Sequence, residues 1–112
     1  MKRTVSLIIP CYNEEATIRE LLSRVEKADF GNWEKEIIVV DDGSKDSTRT
    51  LLSKYKERTG YKIIFQAKNG GKGVAERAGI AHATGEYLVL QDADLEYDPA
   101  EIRKLLEVVE KT

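Results

Sequence analysis

The chain has 112 residues, enough for one hydrophobic core and too few for two ordinary enzyme domains. Charged residues make up 34% and hydrophobic ones 41%, which excludes a disordered or membrane-spanning chain, and 18 Lys and Arg against 20 Asp and Glu leave no basic field to hold nucleic acid. A lone cysteine, Cys11, has no internal disulfide partner, and no apolar stretch approaches the roughly 18 residues that span a bilayer, so a cytoplasmic location is predicted.

Met-Lys-Arg-Thr leads directly into the first apolar run, Val5 to Ile9, which is expected to be a strand rather than a signal sequence. That run is continuous rather than alternating, as in a strand of a parallel sheet covered on both faces. Asn13 then reads as an N-cap with Glu14 and Glu15 in the first turn, and Ile18, Leu21, Leu22 and Val25 form one apolar stripe at helical spacing. A second strand, Ile37 to Val40, precedes a helix that starts near Asp46, turns Leu51, Leu52 and Tyr55 inward and stops before Gly60. Ile63 to Phe65 is the third strand, followed by a helix from about Lys72 to Ala83 that Gly85 closes. Tyr87 to Leu90 is the fourth. Asp98, Pro99 and Glu101 then announce a last helix, as cap, first-position proline and capping-box acid, with Ile102, Leu105, Leu106 and Val109 facing inward. The alternation predicts an α/β fold: a Rossmann-like three-layer α/β/α arrangement of four β-α units, with a mainly parallel sheet and right-handed crossovers, forming a single unit over residues 1–112.

In open α/β sheets ligands bind beyond the carboxyl ends of the strands, and here those ends carry unusual residues. Asp92 and Asp94, two apart after the fourth strand, project to the same side in extended backbone and repel each other unless a cation lies between them. Hard oxygen ligands select Mg²⁺ or Mn²⁺, with Glu96 as a third candidate ligand, and a diphosphate is the natural cargo of such a cation. Tyr12 offers an aromatic face to a nucleobase, and Asp42 can accept hydrogen bonds from base or ribose. In Lys68-Asn69-Gly70-Gly71-Lys72-Gly73 the glycines let backbone approach a ligand while Lys72 neutralises phosphate charge. Blander roles stand beside these: Glu14 as part of a helix start, Asp46 as a cap, the glycines as a flexible turn. Cys11, Trp33 and Tyr97 read as packing residues, and His82, late in its helix, as surface or core.

Four runs in order, Ile-Ile-Pro-Cys-Tyr-Asn-Glu-Glu from residue 8, Val-Val-Asp-Asp-Gly-Ser-Lys-Asp-Ser-Thr from 39, Lys-Asn-Gly-Gly-Lys-Gly from 68 and Gln-Asp-Ala-Asp-Leu-Glu-Tyr-Asp-Pro from 91, resemble the amino-terminal, nucleotide-binding half of a family 2 glycosyltransferase of the GT-A fold. The similarity is greatest to the polyprenyl-phosphate sugar synthases, the dolichyl-phosphate mannosyltransferase-like branch. It implies that Pro10, Tyr12 and Glu14 surround the nucleoside, that Val40 and Asp42 meet base and ribose, and that Lys72 meets the phosphates. It further implies that Asp92 and Asp94, the catalytic pair of a DXD motif, hold metal and diphosphate, that Glu96 completes the metal shell, and that Ala93 contributes backbone near the sugar-phosphate. The implied reaction is inverting transfer of a hexose from a nucleoside diphosphate sugar, of GDP-mannose or UDP-glucose type, to a lipid-linked phosphate, at the cytoplasmic membrane surface in a full-length relative. Members of this family generally run to about twice this length. The 112 residues are therefore expected to be a donor-binding half with little transfer activity alone, and an exposed fourth-strand edge would invite homodimerisation.

Two other folds of this size fit worse. A response-regulator receiver needs an aspartate after the third strand, where Gln66-Ala67-Lys68 stands, and a nicotinamide-binding domain needs Gly-x-Gly-x-x-Gly after the first. The remaining alternative is a truncated or designed non-catalytic Rossmann-like module that binds nucleotide weakly or not at all.

Overall fold

In the computed structural model, which describes residues 2–93, 95 and 98–111, strands and helices alternate along the chain: β1 (Arg3–Cys11), α1 (Ile18–Lys27), β2 (Trp33–Asp41), α2 (Thr48–Ser53), β3 (Tyr61–Phe65), α3 (Lys72–His82), β4 (Tyr87–Leu90) and α4 (Glu101–Glu110). The strands form one parallel sheet in the order β3-β2-β1-β4. The chain moves outward from β1 to β3 and then crosses back to place β4 on the other side of β1. That reversal puts α3 on the opposite face from α1 and opens a crevice between the ends of β1 and β4.

Alternation along the inner strands divides the core. Val5, Leu7, Ile9 and Cys11 of β1 join Ile37 and Val39 of β2 against α1 and α4, whereas Ile38 and Val40 pack with Ala75 of α3. The stripe on α1 is fully buried, each of Ile18, Leu21, Leu22 and Val25 contributing about 1.5–3 kcal/mol by leaving water. Gly79 lets α3 lie close to the sheet: a Cβ there would stand 2.6 Å from Ile8 Cγ2.

Several local expectations change. Asn13 does not cap α1; it adopts φ +53°, its side-chain oxygen accepts from Lys45 N–H at 2.9 Å, and α1 begins at Ile18 after a turn closed by the Glu14 carbonyl. The second helix is only six residues long. Gly85 is no helix cap, since Ala83 already leaves α3 in extended backbone; it lies against β1, where a Cβ would meet Ser6 Oγ at 2.6 Å. Asp98 accepts from Ala100 N–H in the turn before α4, while Glu101 pairs with Lys104. Leu105 faces solvent with 61% of its surface exposed, and Ile102 and Leu106 carry the packing of α4. At the edge, Tyr87, Leu88 and Leu90 of β4 are exposed, so this strand is not covered on both faces.

Candidate functional site

The loops after β1 and β2 are stitched together by side chains that accept or donate to backbone. Asn13 N–H donates to Ser44 Oγ and Glu14 N–H to Thr48 Oγ1, both at 2.9 Å, and Asp46 accepts from Glu15 N–H and Thr48 N–H. Asp46 stands one residue before Ser47, the N-cap of α2, and serves the helix start by accepting from Thr48 N–H. These bonds hold Tyr12 outward at the rim with 38% of its surface exposed.

The pair Asp41-Asp42 builds the next wall. Asp42 is 4% exposed, and its two carboxylate oxygens accept from Gly70 N–H and Gly71 N–H, each at 2.9 Å. The glycine-rich segment is therefore a clamped loop rather than a flexible turn. Gly43, at φ +75°, makes room for it: a Cβ there would stand 2.6 Å from Asn69 N and 2.7 Å from the Lys68 carbonyl carbon. Asp41 points the other way, accepting from Ser44 N–H at 3.2 Å and pairing with Arg49 Nε at 3.6 Å, while its Oδ1 is buried without a partner.

The clamp delivers Lys72, the first residue of α3, to the crevice, where its ammonium pairs with Asp92 Oδ1 just beyond β4. Thr17 Oγ1, at the start of α1, lies 3.0 Å from Glu14 Oε2 and 3.3 Å from the Ala93 carbonyl, tying the β4 loop to the β1 loop. Cys11 lies in the floor, and burial together with nearby Asp41 pushes its thiol far above the usual range, so it stays protonated and poorly nucleophilic at neutral pH.

The result is an open cleft of about 380 Å³ that Pro10, Tyr12, Glu14, Asp42, Lys72, Asp92 and Ala93 all line. Seven sequence-predicted residues therefore meet in one place. Val40 does not: it is fully buried below the rim, its side chain turned toward α3. Asp94 and Glu96 lie outside the described residues. Gly71, one of the glycines expected to bring backbone close to a ligand, and Asn69 also line the cleft, and Ser44, Thr48 and Thr17 brace it; no local sequence pattern singles out Asn69, Ser44, Thr48 or Thr17.

Among the described residues no three His, Cys, Asp or Glu side chains gather as a metal cluster, and the described share of the expected metal site is Asp92 alone. Its carboxylate offers the hard oxygen donor that a divalent cation takes, and in this structure it pairs with the Lys72 ammonium. Three carboxylates, Glu14, Asp42 and Asp92, line the cleft against one described cation, Lys72, so a diphosphate entering it would meet surplus negative charge that a divalent ion offsets.

The sequence profile of glycosyl transferase family 2 matches residues 6–112. Undecaprenyl-phosphate 4-deoxy-4-formamido-L-arabinose transferase of Pseudomonas aeruginosa (strain LESB58) is 41% identical over 107 residues, covering 92% of this chain and 31% of its own. Among solved structures, S. aureus TarS 1-349 in complex with UDP-GlcNAc aligns with a TM-score of 0.82 at 32% identity, over 99% of this chain and 32% of its own. The mannosyltransferase PcManGT from Pyrobaculum calidifontis, in complex with GDP-Man and Mn²⁺, aligns with a TM-score of 0.73 at 30% identity, over 84% of this chain and 28% of its own. The chain spans about a third of the length of the curated relatives it matches.

Proposed function

The chain belongs to glycosyl transferase family 2, and from that premise we propose that its cleft binds a nucleoside diphosphate sugar with Mg²⁺ or Mn²⁺, for inverting transfer of a hexose to a polyprenyl phosphate. The observation that carries this reading is the convergence of side chains from all four strand ends on one crevice at the reversal point of the sheet. Family relatives named as undecaprenyl-phosphate transferases support the acceptor, and neighbours solved with UDP-GlcNAc or with GDP-Man and Mn²⁺ support the donor class and the cation.

In this reading the nucleoside lies toward Tyr12 and Asp42. The exposed Tyr12 ring stacks on the base, and Asp42 accepts from base or ribose with the lone pairs that Gly70 and Gly71 leave unused, since a carboxylate has about four acceptor positions. The diphosphate lies toward Asp92 and Lys72, with Asp94 and Glu96 proposed to complete the cation's ligands. A divalent cation bound there supplies Lewis-acid stabilisation of the charge that develops on the departing diphosphate. An acceptor phosphate oxygen attacks the anomeric carbon opposite the diphosphate, the new C–O bond forming as the bond to the leaving group breaks. Such an acceptor is already anionic, so the reaction needs no strong general base from the cleft.

Calorimetric titration with UDP- and GDP-sugars, with and without Mn²⁺, tests the reading. Metal-dependent heat with one base class, reduced at least tenfold in affinity by Asp92→Asn or Asp94→Ala, is the expected result. Absence of heat with every donor would leave the inert Rossmann-like module as the better description.

A further inference from the structure

We propose that the β3 edge of the molecule is a docking surface for an anionic lipid bilayer, held to headgroup phosphates by a ridge of lysines that begins at the rim of the cleft. The membrane as partner rests on the lipid-linked acceptor proposed above, and the proposal goes beyond it by assigning the surface that meets the lipid.

The net charge of −2 hides a strong separation along the chain. Residues 45–68 form the loop after β2, α2, the turn that follows and the edge strand β3. They hold seven Lys and Arg against two acids, Asp46 and Glu57, whereas the other 88 residues hold 11 against 18. Three of the seven are neutralised from neighbouring strands and helices: Arg49 pairs with Asp41, Arg58 with Glu26 and Lys62 with Glu36. The other four, Lys45, Lys54, Lys56 and Lys68, are exposed, and among the described residues none of them forms an ion pair.

Local packing gathers these cations instead of dispersing them. The Arg49 guanidinium and the Lys56 ammonium lie 4.9 and 5.6 Å from the centre of the same Phe65 ring, so two positive charges share one aromatic side chain. Phe65 is the last residue of β3 and stands at the cleft end of the sheet. At the rim, the close approach that Gly43 permits brings the Lys68 backbone against the loop that carries Lys45, and Asn69, the next residue, lines the cleft.

Like charges kept together repel one another unless an anionic partner offsets them. A bilayer bearing anionic lipid supplies that partner where the acceptor requires it, because the phosphate of a polyprenyl phosphate lies at headgroup depth. No helix among the described residues is long and apolar enough to cross the bilayer and bring the cleft there, so a surface contact must do so. Lysine suits the task, since its flexible stem places a point charge among phosphates without demanding one geometry. Each such residue near anionic lipid raises partitioning about fivefold. Glu86 and Asp92, which flank β4, stand three strand spacings or about 14 Å from β3, beyond the screening length of about 8 Å at physiological salt.

Co-sedimentation of the 112-residue chain with vesicles, of phosphatidylcholine alone or with about one third phosphatidylglycerol, reads the docking with no donor present. The expected result is binding to the anionic vesicles, none to the neutral ones, and release as salt rises from about 0.1 M to about 1 M. Lys54→Glu with Lys56→Glu should lower partitioning at least about tenfold, and Lys45→Glu with Lys68→Glu, nearer the rim, should do the same. Lys104→Glu with Lys111→Glu makes an equal charge change on α4, whose last turn reaches Trp33 at the end of the sheet opposite the cleft, and should lower it less than about threefold. No binding to anionic vesicles, equal binding to neutral ones, or an equal loss in the α4 variant overturns the proposal. Binding to heparin without binding to anionic vesicles also overturns it, by assigning the ridge to a soluble polyanion. Donor titration without vesicles reads the cleft separately, so donor heat without vesicle binding rejects the docking surface alone, and vesicle binding without donor heat upholds the docking surface and rejects the donor site.

Discussion

Asp41 and Asp42 are neighbours in the chain with different tasks, because the β2 ladder continues one step past the strand, Asp42 N–H donating to the Cys11 carbonyl at 2.9 Å. Alternation then sends the first carboxylate toward Ser44 and Arg49 and the second toward Gly70 and Gly71. The following residue admits little but glycine, since it combines φ +75° with backbone atoms of Asn69 and Lys68 inside 3 Å of any Cβ. Backbone cannot yield as a flexible side chain would. Gly43→Ala is therefore expected to lower stability by about 2–4 kcal/mol and to loosen the clamped loop, read by thermal unfolding and by faster exchange of the Gly70 and Gly71 amides. An unchanged melting temperature would contradict the close approach.

At the scale of elements, the end of the sheet opposite the cleft is tied by Glu36. Its carboxylate accepts from Ser6 Oγ, Thr84 N–H and Thr84 Oγ1 and pairs with Lys62, joining β1, β2, β3 and the turn before β4. Burial alone would raise its pKa, but those hydrogen bonds prevail and bring it from the ordinary 4.5 down to about 2. The unfolded chain then binds more protons than the folded one between these values, so the contribution of Glu36 is complete above pH 4.5 and lost as pH falls toward 2. Thermal unfolding followed from pH 7 to pH 2 should show this loss, and Glu36→Gln should lower stability at neutral pH while flattening the acid limb. An acid limb of the same depth in Glu36→Gln would refute the assignment.

Which elements were legible from sequence follows from the range of the interactions. Apolar runs such as Val5 to Ile9 marked every strand, but β1 and β2 extend into Arg3, Thr4 and Trp33 to Glu36, because the parallel pairing continues past the apolar run through flanking polar residues as far as the buried Trp33. The helical stripe of α1 is plain in the sequence, whereas its start is not, because Asn13 finds its partners more than 30 residues away in the β2 loop instead of capping the helix. The cleft was visible as chemistry at strand ends because the fold class says where such ends meet. The Asp42 clamp and the Lys72–Asp92 pair were not, since they join residues 28 and 20 positions apart that no local pattern relates.

For the whole molecule, the strand order leaves β4 at an edge whose residues, Tyr-Leu-Val-Leu, include no proline or charge to block pairing. Leu88 and Leu90, 45% and 53% exposed, share the face of Ser6 and Ile8 and lie uncovered beside it. A second copy of this chain pairing along β4 would satisfy the outward backbone groups and cover both leucines. Sedimentation equilibrium should therefore show a concentration-dependent dimer that Leu90→Lys weakens, and a chain monomeric at every concentration would exclude that pairing.

The larger claim is that the rim joining the β1, β2 and β4 ends, and not another surface, is the donor site. Amide chemical shifts of the isotopically labelled chain, recorded while UDP or GDP is added with Mg²⁺, test it most directly. The account predicts changes at Tyr12, Asp42, Gly70, Gly71, Lys72 and Ala93, with none at Thr84 and Gly85 on the opposite rim. Changes confined to any other surface, or no changes with either nucleotide, would contradict it.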